Sequence, residues 1–254
     1  MKLDSLQRRY LLFGTVLLPT APFLYIQGRY TKLKVGRLPD ASGSNTGVAG
    51  KGPSDLRFLA IGESTVAGVG AENHEEALTG RFASHLSDKT GKTVEWHALG
   101  KSGITVAGTL NELVPQIPEG GFDLVLIALG GNDVFSVKSP KHWRAKITEL
   151  IRTVKSDTGC SEIFLSNIPM VRDFIALPDP LRYLLSRLAK LQHFNTIELT
   201  SELQDVHYFE EVDRVDDEFF SDGIHPSASG YDSWSEAMVR SLLSKSRYLQ
   251  EGES

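Results

Sequence analysis

The sequence predicts a three-layer α/β/α fold around a central, mainly parallel sheet, and two patterns carry that expectation. The first is a set of short runs that are apolar at nearly every position: "RFLAI" (57–61), "FDLVLIAL" (122–129) and "EIFLSNI" (162–168), with "TVEWHAL" (93–99) partly alternating. Strands of a parallel sheet are covered by helices on both faces, so they need apolar side chains pointing both ways. The second is the material between them. Helical patterns are expected over 75–89, 105–114, 140–156, 180–194 and 227–245, and strands that alternate with helices build a parallel sheet between helical layers. Ligands in such folds bind at the carboxyl ends of the strands, so the loops following each strand are where chemistry is expected.

Outside that alternation the chain divides by composition. Residues 1–37 form a basic and apolar segment. In it an uncharged run, 11–26 ("LLFGTVLLPTAPFLYI"), lies between Arg8, Arg9 and Arg29, Lys32, Lys34, Arg37. The run is shorter than the roughly 20 residues that span a bilayer as a helix, and Pro19 and Pro22 should bend or break a helix there. Three readings stand: a signal peptide, although no small-x-small cleavage site directly follows; an uncleaved membrane anchor with Tyr25 and Tyr30 at headgroup level; or a helix packed on the protein's own surface. The first two place the protein at a membrane or in the cell envelope or periplasm, and the third leaves the cytoplasm open. Residues 38–55 are rich in Gly, Ser, Pro and Asn and read as a linker. The folded domain is expected over 56–247, with a tail at 248–254.

Composition narrows the function classes. The 254 residues are 41% hydrophobic and 23% charged, an ordinary globular mixture, and the net charge of −5 with scattered cations offers no footprint for nucleic acid. One cysteine, Cys160, excludes an intramolecular disulfide framework and a Cys-based zinc site. His74, His85, His97, His142, His193 and His207 show no pairing at metal-ligand spacing, so no metal is expected. Gly68-Val69-Gly70 hints at a dinucleotide fingerprint, but Asn73 stands where the third glycine belongs, and no phosphate-loop lysine is present. No cofactor is expected.

Three loops after strands carry unusual residues: Gly62-Glu63-Ser64, Gly100-Lys101-Ser102-Gly103 and Gly130-Gly131-Asn132-Asp133. Near the C-terminus, "SDGIHPSASGY" puts Asp222 three residues before His225 and ahead of the last helix. A serine, a histidine with an acid close to it, and glycine and asparagine donors are the parts of nucleophilic acyl transfer. A serine hydroxyl is a weak nucleophile, so a neutral imidazole must take its proton, and a carboxylate must fix the imidazole tautomer. The oxyanion that forms needs donors already in place, which glycine backbone and an asparagine amide provide. Each piece alone also has a structural reading. Ser64 could cap a helix, Asn132-Asp133 could make a turn, and the Asp222–His225 stretch could be a loop capping the last helix, where Ser227 is also available.

Together, "GESTVAGVG", "GKSGIT", "GGND" and "DGIHPSASGY" resemble the four blocks of the SGNH (GDSL-like) hydrolases, in order, over about residues 58–243. The resemblance implies a flavodoxin-like fold and a serine hydrolase acting on short- to medium-chain acyl esters. It implies Ser64 as nucleophile, His225 as base and Asp222 as its orienting acid. It also implies an oxyanion hole of the Ser64 and Gly103 N–H groups and the Asn132 amide. The family permits carbohydrate O-deacetylation, acyl transfer, lysophospholipase and thioesterase activity on the same parts. This chain departs from the pattern at Glu63, where the family usually has aspartate. The α/β-hydrolase elbow, Gly-x-Ser-x-Gly, is not met, since position 66 is Val. Met170, Val171, Phe174, Ile175, Leu177 and Leu181, after the fourth predicted strand, could border the site by topology or serve ordinary helix packing.

Overall fold

The computed structural model describes residues 2–36, 38–211, 215 and 217–250. Six strands form one sheet: β1 (Thr46–Ala49), β2 (Leu56–Gly62), β3 (Val94–Gly100), β4 (Leu124–Ala128), β5 (Glu162–Leu165) and β6 (Val206–Tyr208). Their order is β1-β3-β2-β4-β5-β6; β1 is antiparallel to β3 and the other pairs are parallel. The helices in the layers are α3 (Leu78–Thr90), α4 (Val106–Glu112), α5 (Gly131–Phe135), α6 (Pro140–Thr158), α7 (Leu181–Thr200) and α8 (Ala228–Lys245). Before them come α1 (Leu3–Leu17) and α2 (Ala21–Val35), and after them α9 (Arg247–Gln250).

The unbroken apolar runs are explained by the two cores. Successive side chains of a strand point to opposite faces. Leu59, Ile61, Val125, Ile127, Ile163 and Leu165 enter one core with Trp143 and Ile147 of α6 and Leu188 of α7. Phe58, Ala60, Leu124, Leu126 and Phe164 enter the other with Phe82 of α3 and Met238 and Leu242 of α8. Each fully buried large side chain of this kind contributes roughly 1.5–3 kcal/mol. Helix α6 shows the matching 3.6-residue pattern: Trp143, Ile147, Leu150, Ile151 and Val154 are buried. Its N-cap Ser139 accepts from the His142 N–H at 3.2 Å, and the left-handed Gly159 (φ 67°) ends it.

The outer parts of the chain differ from the sequence expectation. Residues 38–55 are not only a linker, because β1 lies within them and pairs with β3 from Thr46↔His97 to Ala49↔Val94. Gly47 is needed there, since a Cβ would lie 2.4 Å from the Trp96 ring. The C-terminal tail contributes α9, whose Leu249 is buried and whose Tyr248 hydroxyl reaches Asp123 Oδ1 at 3.1 Å; residues 251–254 lie outside the described residues. Strand β6 was not expected from the pattern; it is three residues long and too short to show one. At the N-terminus the break expected at Pro19 and Pro22 separates α1 from α2, which are bent by 47°. Among the described residues no single helix is long and apolar enough to cross a membrane.

The chain order creates the site. From β2 the chain moves to one neighbour, β3, and then crosses to the other, β4, so β2 and β4 flank a point where successive connections leave in opposite directions. In open α/β sheets, ligands bind outside the carboxyl ends of the strands at such a point. Gly62, Gly100 and Ala128 stand side by side at those ends. The backbones approach closely: a Cβ on Gly62 would lie 2.2 Å from the Ala128 carbonyl, and one on Gly100 would lie 2.2 Å from the Ala67 nitrogen.

Candidate active site

Ser64 begins a series of turns directly after β2, and the next helix, α3, starts only at Leu78. The helix-cap reading of Ser64 therefore falls away: its carbonyl accepts from Val69 N at 3.0 Å, while its hydroxyl and its own N–H have no hydrogen-bond partner among the described residues. The turn is fixed by its surroundings. The Val66 and Ala67 N–H groups donate to the Glu63 carbonyl, and Glu63 N donates to the Ala128 carbonyl at 3.0 Å.

Glu63 links this turn to Asn132. Its carboxylate accepts from Gly131 N at 2.8 Å, from Asn132 N at 2.9 Å and from the Asn132 side-chain amide. One amide hydrogen of Asn132 is thereby committed to Glu63, which orients the second. Glu63 is 5% exposed. Burial pushes its carboxyl up to about 7, against the lowering effect of the Asn132 and Gly131 N–H groups. The extra methylene relative to aspartate supplies reach, since the carboxylate meets the first turn of α5 rather than its own backbone.

The neighbouring Asp133 performs the equivalent task for the loop after β3. Fully buried, it accepts from Val106 N at 2.9 Å, at the start of α4, where Thr105 also caps by accepting from Gly108 N at 3.3 Å. Burial raises the Asp133 carboxyl, and the Val106 N–H opposes that rise. Gly103 lies in this loop at φ 82°, the left-handed region that glycine accepts, with open space where a Cβ would sit. Its N–H has no partner among the described residues.

The histidine comes from the loop before α8. His225 Nδ1 lies 2.8 Å from Asp222 Oδ2, and Asp222 Oδ1 accepts from the Ile224 and His225 N–H groups at 2.9 and 2.7 Å. Burial alone would raise the Asp222 carboxyl, but the His225 ring, the two backbone N–H groups and the His225 charge outweigh it and hold it below the usual carboxylate range. An ionised Asp222 can only accept, so the neutral imidazole carries its proton on Nδ1 and leaves Nε2 free. The helix is capped separately, by Ser227 accepting from Gly230 N at 3.1 Å.

Two contacts bring the serine turn and the histidine loop together. Gly70 (φ 100°) packs so closely that a Cβ would lie 2.2 Å from the carbonyl of Pro226, the residue after His225. Tyr231, fully buried in α8, donates to the Val69 carbonyl at 2.7 Å. Burial raises its hydroxyl far above the ordinary tyrosine range, so it stays a donor. The glycines that hinted at a dinucleotide site thus serve packing: Gly70 faces Pro226, and Gly68 leaves room for Ala41.

The segment after β5 packs on the histidine loop. Gly223 packs against Ile175 and Ala176. Phe174 lies edge-on to Phe220 at 5.7 Å and faces Phe135 of α5 at 6.3 Å. Val171 and Leu177 are buried, and Phe135 and Ile175 keep exposed apolar surface. Among the described residues no group of three or more His, Cys, Asp or Glu side chains could hold a metal ion. Three of the histidines outside the site have structural partners: Tyr208 for His193 at 2.9 Å, Asp232 for His85 at 3.0 Å and Glu162 for His207 at 3.4 Å.

The sequence pattern picks out Ser64, Gly103, Asn132, Asp222 and His225, but it does not reveal that Glu63, Asp133 and Tyr231 connect their loops. The odd glutamate and the tyrosine closing the last block were the available signals.

A sheet of this order, with a serine, a glycine, an asparagine and an Asp-His pair on loops at its carboxyl edge, defines a class of hydrolase. The profile of the GDSL-like Lipase/Acylhydrolase family matches residues 60–232, and the chain belongs to that family. Solved structures share the fold. TesA superposes with a TM-score of 0.59 at 21% identity, covering 73% of this chain and 97% of that one. An active-site mutant of a family two carbohydrate esterase from Clostridium thermocellum gives 0.58 at 15% identity, over 77% of this chain and 65% of that one. An extracellular lipase from Streptomyces rimosus gives 0.55 at 15% identity, over 73% and 99%. A sequence search of curated proteins returns no match.

Proposed function

We propose that the protein is a serine hydrolase of carboxylic esters of short- to medium-chain acids, working through an acyl-enzyme on Ser64. The observation that carries this reading is the Asp222–His225 pair at 2.8 Å, on a loop packed through Pro226 against the turn that bears Ser64. His225 Nε2 takes the Ser64 proton as Oγ bonds to the ester carbonyl carbon. The carbonyl electron pair moves to oxygen, which is held by the Ser64 and Gly103 N–H groups and the Asn132 amide. When the intermediate collapses, the C–O bond to the alcohol breaks and His225 returns the proton to the leaving oxygen. Water then repeats the sequence: His225 removes its proton, its oxygen bonds to the acyl carbon, and the acid leaves as Ser64 regains its hydrogen. Phe135, which ends the α5 helix that carries Asn132, and Ile175, packed on Gly223, offer exposed apolar surface for the acyl chain.

Replacing Ser64 by Ala tests the reading. The variant should fold and lose essentially all turnover of a short-chain chromogenic ester, whereas undiminished turnover would remove Ser64 from the mechanism. Products analysed with and without an added acceptor alcohol separate hydrolysis from acyl transfer, which uses the same groups.

A further inference from the structure

The two N-terminal helices dock differently: α1 turns apolar residues toward the protein, whereas α2 turns them outward. In α1, Leu3, Leu6, Tyr10, Phe13 and Leu17 recur at helical spacing and turn toward the protein, with Leu6 fully buried. In α2 the polar and small residues turn inward: Thr31 is buried and Gln27 and Gly28 are half-buried. Phe23, Ile26, Tyr30 and Leu33, at i, i+3, i+7 and i+10, form a stripe facing outward, 54–78% exposed. Leu11, Leu12 and Leu18 of the preceding helix and its break are exposed as well. A water-facing helix would show the reverse pattern, and a contiguous apolar face of this kind marks an interaction surface.

The charge of the same segment indicates the occupant. Residues 1–37 contain seven Lys and Arg and one acid, Asp4, although the whole chain carries −5. Arg8, Arg9, Arg29 and Lys34 are exposed, and Tyr25, 68% exposed, joins Tyr30 as an amphipathic ring suited to the headgroup level.

The helices are also tied down. Tyr10 donates to the Val137 carbonyl at 2.8 Å, Gln7 accepts from Lys141 N at 3.1 Å, Asp4 pairs with Lys141 at 3.2 Å, and Gln27 donates to the Asp179 carbonyl at 2.9 Å. Neither helix is long and apolar enough to cross a bilayer alone, and being held along one side of the protein suits them to lie on its surface. Both attachment points continue from the site: Val137 lies five residues beyond Asn132, and Asp179 ends the segment that packs on Gly223.

We infer that α1 and α2 form a retained docking face for an anionic lipid bilayer, which holds the loops around Asn132 and His225 against the membrane surface. This surface is independent of the Ser64 chemistry, so lipid binding and catalysis fail or succeed separately. The test uses the full chain in vesicle flotation, with phosphatidylcholine alone and with added phosphatidylglycerol, in low and high salt. The full chain should float with the anionic vesicles and lose most of that binding in high salt. Each cation near an anionic surface contributes roughly a fivefold factor. An Arg29→Ala/Lys34→Ala variant should therefore bind about 25-fold more weakly, and Phe23→Glu/Ile26→Glu should abolish flotation. Both variants should keep wild-type turnover of a soluble ester, because the altered side chains are exposed and far in sequence from the site. The inference is overturned if the full chain stays soluble with both lipids or if the Phe23→Glu/Ile26→Glu variant floats like the wild type. It is also overturned if the mature protein from the producing cell begins after residue 36.

Discussion

Glu63 and Asn132 act as one unit. The Glu63 carboxylate receives three N–H groups, all from Gly131 and Asn132. Glu63→Gln would turn an amide NH2 toward those donors and free the Asn132 side chain. A bond to a charged group is worth roughly 1.5–3 kcal/mol, so kcat on a soluble ester should fall about 10- to 100-fold with KM little changed. Glu63→Asp, which keeps the charge but withdraws it by a methylene, should recover part of the loss; equal damage from both would contradict an orienting role. Asn132→Ala removes the amide itself and should cost on the order of 100-fold in kcat, and a loss confined to KM would deny it a place in the oxyanion site. Glu63 also imposes a pH dependence on stability. Below pH about 4.5 it is protonated folded and unfolded and contributes nothing. As pH rises, the unfolded chain ionises first, while the folded carboxyl holds its proton up to about 7. Its contribution therefore falls between those values, by about 3 kcal/mol, and is constant above. Urea unfolding at pH 5 and pH 8 should show that loss in the wild type and a smaller one in Glu63→Gln.

At the scale of elements, the site depends on α8 as a brace. Tyr231 connects that helix to the Ser64 turn, and Tyr231→Phe would leave the Val69 carbonyl unpaired in the interior. That should cost about 1–3 kcal/mol, read as a fall in Tm of several degrees, together with reduced kcat because turn and histidine loop lose a common anchor. Gly70→Ala should do more damage, since the added carbon meets the Pro226 carbonyl at a φ that favours glycine. Neither contact is legible in the sequence: Val69 and Tyr231 are 162 residues apart, and nothing local marks them as neighbours. Strands β2, β4 and β5 were legible because burial on both faces imposes apolar residues at successive positions, and β3, whose burial alternates, showed as a partly alternating run. The edge strand β1 was not, because it is exposed on one side and built from Thr, Gly, Val and Ala within a Gly- and Ser-rich stretch. The helices α1 and α2 were visible only as an apolar run, since signal peptide, anchor and surface helix share that composition, and the outward stripe of α2 emerges from its docking.

Across the whole molecule, the crossing of the chain from β3 to β4 brings together residues from the first, second and third β-α connections, and the loop before α8 contributes the fourth group. The order of the four blocks in the sequence therefore carried the family and the choice of site residues, while packing across the carboxyl edge determines how Glu63, Asp133 and Tyr231 hold them. The charge is unevenly divided, with a cationic N-terminal pair of helices on an otherwise acidic domain. Such a division should make turnover of vesicle-borne esters depend on ionic strength, while turnover of a soluble ester should not.

Acid-quenched mass spectrometry during turnover of a short-chain chromogenic ester would trap the acyl-enzyme proposed on Ser64. The mechanism predicts a gain of one acyl group, mapped to the peptide containing Ser64 and absent from Ser64→Ala. An acyl group on another residue, or the same adduct in the alanine variant, would contradict it.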